Sequence, residues 1–459
     1  MQDMPHSTSS LRLGIRSVPY ILALVPFLYL IYMVWKCYVD MPFFDEWTLV
    51  LAVDKSYQGT LTVSDLFRQH MEHRPLFPTL ILLPVIRATG WNISYEIALS
   101  IALALGMCIA LVRQAKYTLN SVGECHVGWL IPIISVIVFS LKQQENWLWG
   151  WQVAMFLNLL AAVVGIMLLC KPAFRWVNFA GAMLLGAVAS YSFASGLNYW
   201  HTGLILLLLM PGRSGKERMR HVVMWCAVAA VTVAVYFHGF DINAPAPAKS
   251  FVFSHPFAFL DYVFSYLGNP VSTRYATPAG VIGVVLLGSM IYVLRRMNLV
   301  ELRELLPYIG LGVYCVSSAV MTGIGRASIG QWQALSPRYI TMANLLWISN
   351  VTLLLLIIQI RLARTRGEVR ERQGGRAVSL AAFLILGGIV CLAAIASIGG
   401  VADMYRHRDL MAAARAEILA VKDDEPLRHL APFQRGKDIM PTIEILKRYH
   451  LSVFRETAR

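Results

Sequence analysis

Apolar residues in this chain come mostly in unbroken runs of about 20, not in the one-sided stripe of a surface helix. Residues 17–35, 93–112, 153–170, 222–237, 340–360 and 377–398 are such runs. Their length is close to what a helix needs to cross a hydrocarbon layer. They are continuous and do not alternate, so they predict helices, not barrel strands. The pattern predicts an all-α, polytopic integral membrane protein.

The polar stretches between the runs set the threading. Residues 75–88 are apolar but short, hold Pro78 and Pro84, and carry Arg87. If this segment spans, the clusters at 213–220 and 361–376 fall outside. If it does not, every dense basic cluster falls inside, as the charge rule for short loops requires. These clusters are Arg12/Arg16, Arg113/Lys116, Lys171/Arg175, Arg213/Lys216/Arg218/Arg220, Arg295/Arg296/Arg303 and the arginines from Arg361 to Arg376. The second threading gives eleven spans, starting near residues 18, 92, 127, 151, 177, 199, 221, 278, 305, 340 and 378. The N-terminus is then cytoplasmic, and 75–88 is a juxtamembrane or re-entrant helix within an outer loop, 37–91. Residues 1–400 form the transmembrane domain. Residues 401–459 form a short extracytoplasmic tail, in which Leu410, Ile418, Leu419, Ile443, Leu446 and Leu451 suggest short amphipathic helices.

Composition supports this reading. Of 459 residues, 57% are hydrophobic and 14% charged, and the mean hydropathy is +0.58. Soluble domains carry about 25% charge. The net charge of +14 is topogenic and does not imply nucleic acid. The seven cysteines (37, 108, 125, 170, 226, 315 and 391) form no CxxC, which points to packed, unpaired thiols. No small-residue cleavage site follows residues 17–35, so that segment is expected to remain as the first helix.

This threading gathers the polar and aromatic segments on the outer face. The first loop reads Met41-Pro-Phe-Phe-Asp-Glu-Trp47 and then Gln69-His-Met-Glu-His-Arg-Pro75. Others are Gln143-Gln-Glu-Asn-Trp-Leu-Trp-Gly-Trp-Gln152, Tyr191-Ser-Phe-Ala-Ser-Gly-Leu-Asn-Tyr-Trp-His201 and Leu335-Ser-Pro-Arg-Tyr339. Asp45 and Glu46 lie between aromatic residues near the end of the first span, where carboxylate basicity can be tuned. Trp47, Trp147, Trp149, Trp151 and Trp200 fit an interfacial belt or a sugar-stacking surface equally well. His70 and His73 would share a helical face, and Glu72 joins them, but no spacing supplies a third ligand. A divalent metal is compatible with these residues but not indicated, and no other cofactor is. Arg74 and Arg338 sit beside span ends on the outer side, where guanidinium suits phosphate.

An acidic pair in the first outer loop, followed by a juxtamembrane helix, resembles the GT-C superfamily of polytopic glycosyltransferases that use polyprenyl-phosphate sugars. The resemblance rests on Phe44-Asp45-Glu46-Trp47, Glu72-His73-Arg74-Pro75, Glu145-Asn146-Trp147 with Trp151-Gln152, and Ser336-Pro337-Arg338-Tyr339. It extends to bacterial GT-C-like membrane proteins and implies the bacterial inner (plasma) membrane, with the site facing outward. The family's larger periplasmic domain has no counterpart here, only the short tail.

The resemblance implies transfer of a sugar from a polyprenyl-phosphate donor to an extracytoplasmic glycan, lipid or protein hydroxyl, with inversion. Asp45 would be the base and Glu46 would position the acceptor or assist. Arg338, with Arg74 and His73, would meet the leaving phosphate. Glu145, Asn146, Trp151, Gln152 and Tyr339 would complete substrate binding. No P-loop or dinucleotide fingerprint is present. The competing class is a polytopic transporter or flippase of a lipid-linked or small polar substrate. Such proteins place charges in mid-span and repeat their halves; neither feature is evident here.

Overall fold

The computed structural model describes residues 7–122, 127–241, 250–367, 373–420 and 439–458. Cys125 and most of the arginine side chains between Arg364 and Arg376, with Arg12 and Arg16, lie outside the described side chains. Among the described residues the chain is helical and contains no strand. The longer helices are numbered in chain order. They are α1 (Ser7–Cys37), α2 (Val50–Gln58), α3 (Leu76–Thr89), α4 (Ile93–Asn120), α5 (Leu130–Val138), α6 (Val153–Leu169), α7 (Trp176–Ser190), α8 (Asn198–Leu209), α9 (Gly215–Phe237), α10 (Pro256–Gly268), α11 (Ala276–Arg296), α12 (Leu302–Arg326), α13 (Ile340–Gly367), α14 (Gln373–Ala420) and α15 (Met440–Arg448).

Eight helices among the described residues are long and apolar enough to cross a membrane: Ser17–Cys37, Ile93–Asn120, Gly150–Leu169, Gly215–Phe237, Ala276–Arg296, Leu302–Ile329, Pro337–Leu362 and Leu380–Ala420. The protein is therefore a multi-pass helical membrane protein. The other three of the eleven expected spans, near 127, 177 and 199, fall on α5, α7 and α8, of 9, 15 and 12 residues. A helix needs about 20 residues to cross unaided. These shorter helices are lodged among the longer ones. Tyr199 of α8 is fully buried and donates from its hydroxyl to Ala182 O of α7 at 3.0 Å. Trp225 of α9 donates to Trp200 O at 2.8 Å.

Helix α3 covers residues 76–89, with Pro84 inside it, and stops at Gly90. Gly90 takes φ +64, a left-handed C-cap that favours glycine. At 14 residues α3 extends about 21 Å, too short to span. Both its ends lie at one end of the bundle. Phe77 N donates to Tyr191 O after α7, and Gly90 O accepts from Ser452 N in the tail. It is thus the juxtamembrane helix expected in the first loop.

The C-terminal part behaves differently from a loose tail. Helix α14 has 48 residues, about 72 Å, more than twice the hydrocarbon thickness. The boundary expected at 400/401 falls inside it. Past the membrane its buried positions are Met404, Met411, Ala414 and Ile418, one stripe along one side. Ser397 accepts from Leu141 N at 2.9 Å, and the His407 ring meets Phe43 edge-on at 4.9 Å. Helix α15 and residues 449–455 then pack on the first loop. Tyr449 stacks on Tyr57 at 4.4 Å and donates to Asp54 at 2.8 Å; Arg455 pairs with Asp40 at 2.8 Å.

Among the described residues, Cys37, Cys108, Cys170 and Cys315 are buried free thiols. A sidedness test therefore needs an introduced cysteine. Val63, in the first loop, is 78% exposed, whereas Gly215 begins α9 at the opposite end. In intact cells Val63→Cys is expected to react with a membrane-impermeant thiol reagent and Gly215→Cys only after lysis; the reverse pattern would invert the threading.

Candidate active site

The first loop turns through a short 3-10 segment, Phe44–Leu49. Phe43 is extended, and Phe44 is forced to φ +44, a strained value for a residue with a side chain. The strain turns Glu46 inward. Glu46 is fully buried: Oε2 accepts from Phe43 N and Oε1 from Trp151 N, both at 2.7 Å. A second carboxyl, Glu96 in the first turn of α4, is also fully buried, and both crowd Gly150. A Cβ there would collide with both, so only glycine fits. Burial pushes the Glu46 carboxyl up to about 8. Two carboxyls this close cannot both ionise, so the pair holds a proton.

Successive residues of a 3-10 turn face different sides, and Asp45 faces the other way. Its side chain is 32% exposed, with Oδ1 3.2 Å from Nε2 of His70. Burial alone would raise this carboxyl, but the hydrogen bond and charge of His70, with the charges of His73 and Arg338, hold it below its ordinary range. Asp45 is therefore ionised. Its surroundings also place Arg338 and His73 within electrostatic reach.

His70 and His73 do not share a helical face. They pair across a tight turn, His70 N to His73 O at 2.9 Å and His73 N to His70 O at 2.7 Å, with Met71 at φ +48. Residues opposed in an antiparallel bridge still point to the same side, so the pairing is kept by different geometry. His73 is buried, its ring stacks on Phe193 at 4.1 Å, and Nδ1 accepts from Ala194 N at 3.0 Å. Burial lowers it to about 4, so it is neutral with its proton on Nε2, 3.7 Å from Glu72 Oε1. Glu72 also pairs with Arg326. Burial opposes ionisation of Glu72, but the charges of His73 and Arg326 and the hydrogen bond from Arg326 bring it down to about 2. Since His73 is neutral, Arg326 is the lasting partner. No group of three or more His, Cys, Asp or Glu among the described residues is placed to hold a metal ion.

Arg74 departs from the role expected of it. Its Nε, Nη1 and Nη2 donate to the carbonyls of Tyr236, Phe67 and His238, each at 2.6 Å, and the guanidinium lies 4.9 Å from the Phe67 ring centre. Buried in this way, it ties the first loop to the end of α9, with its donors already given to carbonyls. Arg338 remains partly exposed, at 25% of its side chain, with Nη1 3.0 Å from Glu145 Oε2. Asn146 fixes the same segment by donating to Arg338 O at 3.0 Å and to Thr341 at 2.5 Å. Tyr339 accepts from Gln333 at 2.7 Å and stacks on Tyr266. Trp47, Trp147, Trp149, Trp151, Trp200 and Gln152 are at most 5% exposed. These tryptophans pack the loops together and form no interfacial belt. Trp151 meets the His70 ring at 5.4 Å.

Three residues of this region escaped the sequence reading. Glu96 carried a usable signal, a carboxylate within an apolar run. Arg326 ends α12 at the acidic end, against the charge rule, as Arg338 does. Lys142 carried none. It donates to Asn269 O near the end of α10, and burial lowers its amine to about 8.

No protein-family model matches the chain, and no curated protein is significantly similar to it. Among solved structures, the crystal structure of ArnT from Cupriavidus metallidurans bound to undecaprenyl phosphate is similar, with a TM-score of 0.48 and 13% sequence identity. The alignment covers 95% of this chain and 89% of that one.

The buried carboxyl makes stability depend on pH. Glu46 is raised on folding from 4.5 to about 8, so its contribution is complete below 4.5 and is lost as pH rises through about 8. Thermal melting of the detergent-solubilised protein should show this decline. Glu46→Gln should be less stable at low pH, because its amide cannot accept both N–H groups, but flatter with pH. An unchanged decline would remove Glu46 as its source. Arg74→Ala leaves three carbonyls without donors, at about 1–3 kcal/mol each where buried. A large fall in melting temperature is expected, with little rescue by Arg74→Lys, which lacks the planar fork.

Proposed function

We propose that the protein is a membrane glycosyltransferase that moves a sugar from a polyprenyl-phosphate donor to an acceptor hydroxyl. The observation that carries this reading is the pairing of an ionised, solvent-reachable Asp45 with a partly exposed Arg338 within its electrostatic reach, at one end of a membrane bundle. A base and an anion site at that depth suit a substrate whose reacting end sits at the membrane surface.

In this reading the acceptor hydroxyl attacks the anomeric carbon. The new oxygen–carbon bond forms as the bond to the phosphate oxygen breaks, and that electron pair leaves with the polyprenyl phosphate. The proton passes to Asp45. A carboxylate held below its usual range is a weak base, but the hydroxyl becomes strongly acidic as its oxygen bonds to carbon, so a weak base suffices. Attack on the face opposite the phosphate inverts the centre, with no covalent enzyme intermediate.

Arg338 stabilises the charge that builds on the leaving phosphate. Glu145 engages only Nη1, which leaves guanidinium donors for an anion. His73, neutral with Nε2–H outward, adds a donor without a competing charge. Glu46, Asn146, Trp151 and Gln152 hold the loops, and Tyr339 sets the Arg338 segment. The acceptor is an extracytoplasmic glycan, lipid or protein, and the site faces the outside of the bacterial inner membrane, opposite the basic clusters.

The test uses proteoliposomes given a radiolabelled polyprenyl-phosphate sugar and a cell-envelope extract as acceptor source. Asp45→Asn should lower transfer by about 10²–10⁴-fold with donor binding and melting temperature kept. Full activity in that variant would sink the assignment. Arg338→Gln should weaken donor use by about 10–100-fold, the loss of a charged hydrogen bond, while Arg87→Gln should not.

A further inference from the structure

Three arginines meet at the end of the bundle opposite the acidic loop, where α8 turns into α9 and α12 begins. Arg213 sits in the turn, Arg218 on the first turns of α9, and Arg303 at the start of α12. They form one group. Burial lowers the Arg213 guanidinium below its ordinary range; the charge of Glu217 opposes this, and the charges of Arg218 and Arg303 press it further down. Arg303 reaches the turn itself, since a Cβ on Gly212 would stand 3.4 Å from its Nη2. Arg218 donates to Met210 O at 3.2 Å. Arg213 lies 4.9 Å from the Phe174 ring centre and donates from Nη1 to Nδ1 of His221 at 3.3 Å. Arg213 and Arg218 are thus held in place by aromatic and backbone contacts, with Arg303 beside the same turn.

What they lack is a carboxylate in direct contact, although the charge of Glu217 reaches Arg213 and that of Glu304 reaches Arg303. Among the described residues none of the three forms an ion pair, whereas Arg326 and Arg338 at the other end each have a carboxylate. Glu217 is engaged in capping the N-terminus of α9, accepting from Ser214 N at 3.2 Å. The Nε groups of Arg218 and Arg303 are buried with no acceptor. Like charges gathered in a partly buried place repel unless an anion joins them. The charge rule accounts for basic residues at this end, but it does not account for their convergence between three helices.

We propose that this junction binds the phosphodiester headgroup of an anionic phospholipid. Guanidinium forks suit phosphate oxygens. Basic pockets between helices on the side of the anionic leaflet are where such headgroups are held. The lipid tails have a place as well: Leu208 and Leu209 on α8 and Met219 and Val223 on α9 are 50, 41, 62 and 57% exposed beside the junction. A soluble phosphate has no use for those apolar sides.

The experiment follows the melting temperature of the purified full chain in detergent, with phosphatidylglycerol, phosphatidylcholine or inorganic phosphate added. A rise with phosphatidylglycerol alone is expected. It should vanish in Arg213→Gln/Arg218→Gln/Arg303→Gln and persist in Lys171→Gln/Arg295→Gln/Arg296→Gln, which removes as much charge from the same end. If the first triple variant does not fold, Arg303→Gln alone should shrink the response. An equal rise with phosphatidylcholine, or equal loss in the control variant, would overturn the site. An equal rise with inorganic phosphate would overturn the lipid and leave a soluble anion.

Discussion

The acidic end of this protein is organised around one buried carboxyl. Glu46 accepts from Phe43 N in its own loop and from Trp151 N in a loop more than 100 positions away. No solvent reaches it. Two backbone donors and the raised pKa of its carboxyl make that burial tolerable, because an unpaired charge there would cost several kcal/mol. The consequence runs outward. With Glu46 pinned inward and Phe44 strained to allow it, Asp45 has one direction left, toward His70 and the partly open space beside Arg338. Gly150 belongs to the same constraint, since any side chain there would push the two carboxyls apart.

Arginines show how one residue type takes opposite roles according to what surrounds it. Arg74 meets only carbonyls and becomes a cross-tie between the first loop and α9. Arg326 and Arg338 meet carboxylates and keep part of their surface open. Arg455, in the tail, meets Asp40, whose other oxygen accepts from Ile93 N at the start of α4. The tail thus grips the acidic loop from the side away from Asp45. Arg87 stacks on Tyr57 and Tyr57 on Tyr449, so the juxtamembrane helix, the first loop and the tail form one layered block.

Sequence patterns revealed the parts of this structure that depend on chemistry along the chain. Apolar runs and charge clusters located the long helices and put residues 41–47, 69–75, 143–152 and 335–339 at one end, where the structure brings them together. They could not reveal what depends on geometry across the chain. Arg74 and Arg338 look alike in sequence, both beside span ends, and only the carbonyls around one and the carboxylate beside the other separate them. The tryptophans of 147–151 read as a belt or a stacking surface because burial by neighbouring loops leaves no local mark. α5, α7 and α8 read as spans because their flanks are apolar; the structure ends them early, at Val138, Ser190 and Leu209, where turns begin.

The question the acidic pair poses, which carboxylate can act, is answered by division of environment. A group that takes a proton during turnover must be reachable and must start ionised. Glu46 is neither: it is enclosed, pushed up toward 8, and its oxygens already accept two N–H groups. Asp45 is both, with His70 Nε2 3.2 Å from its carboxyl. Adjacent carboxyls with pKa values driven apart by burial commonly divide their labour in this way. Here the division is made within one turn, which buries Glu46 and Trp47 and leaves Asp45 partly exposed. Glu46 sets the position of Asp45, and of the two it is Asp45 that the proposed transfer would use.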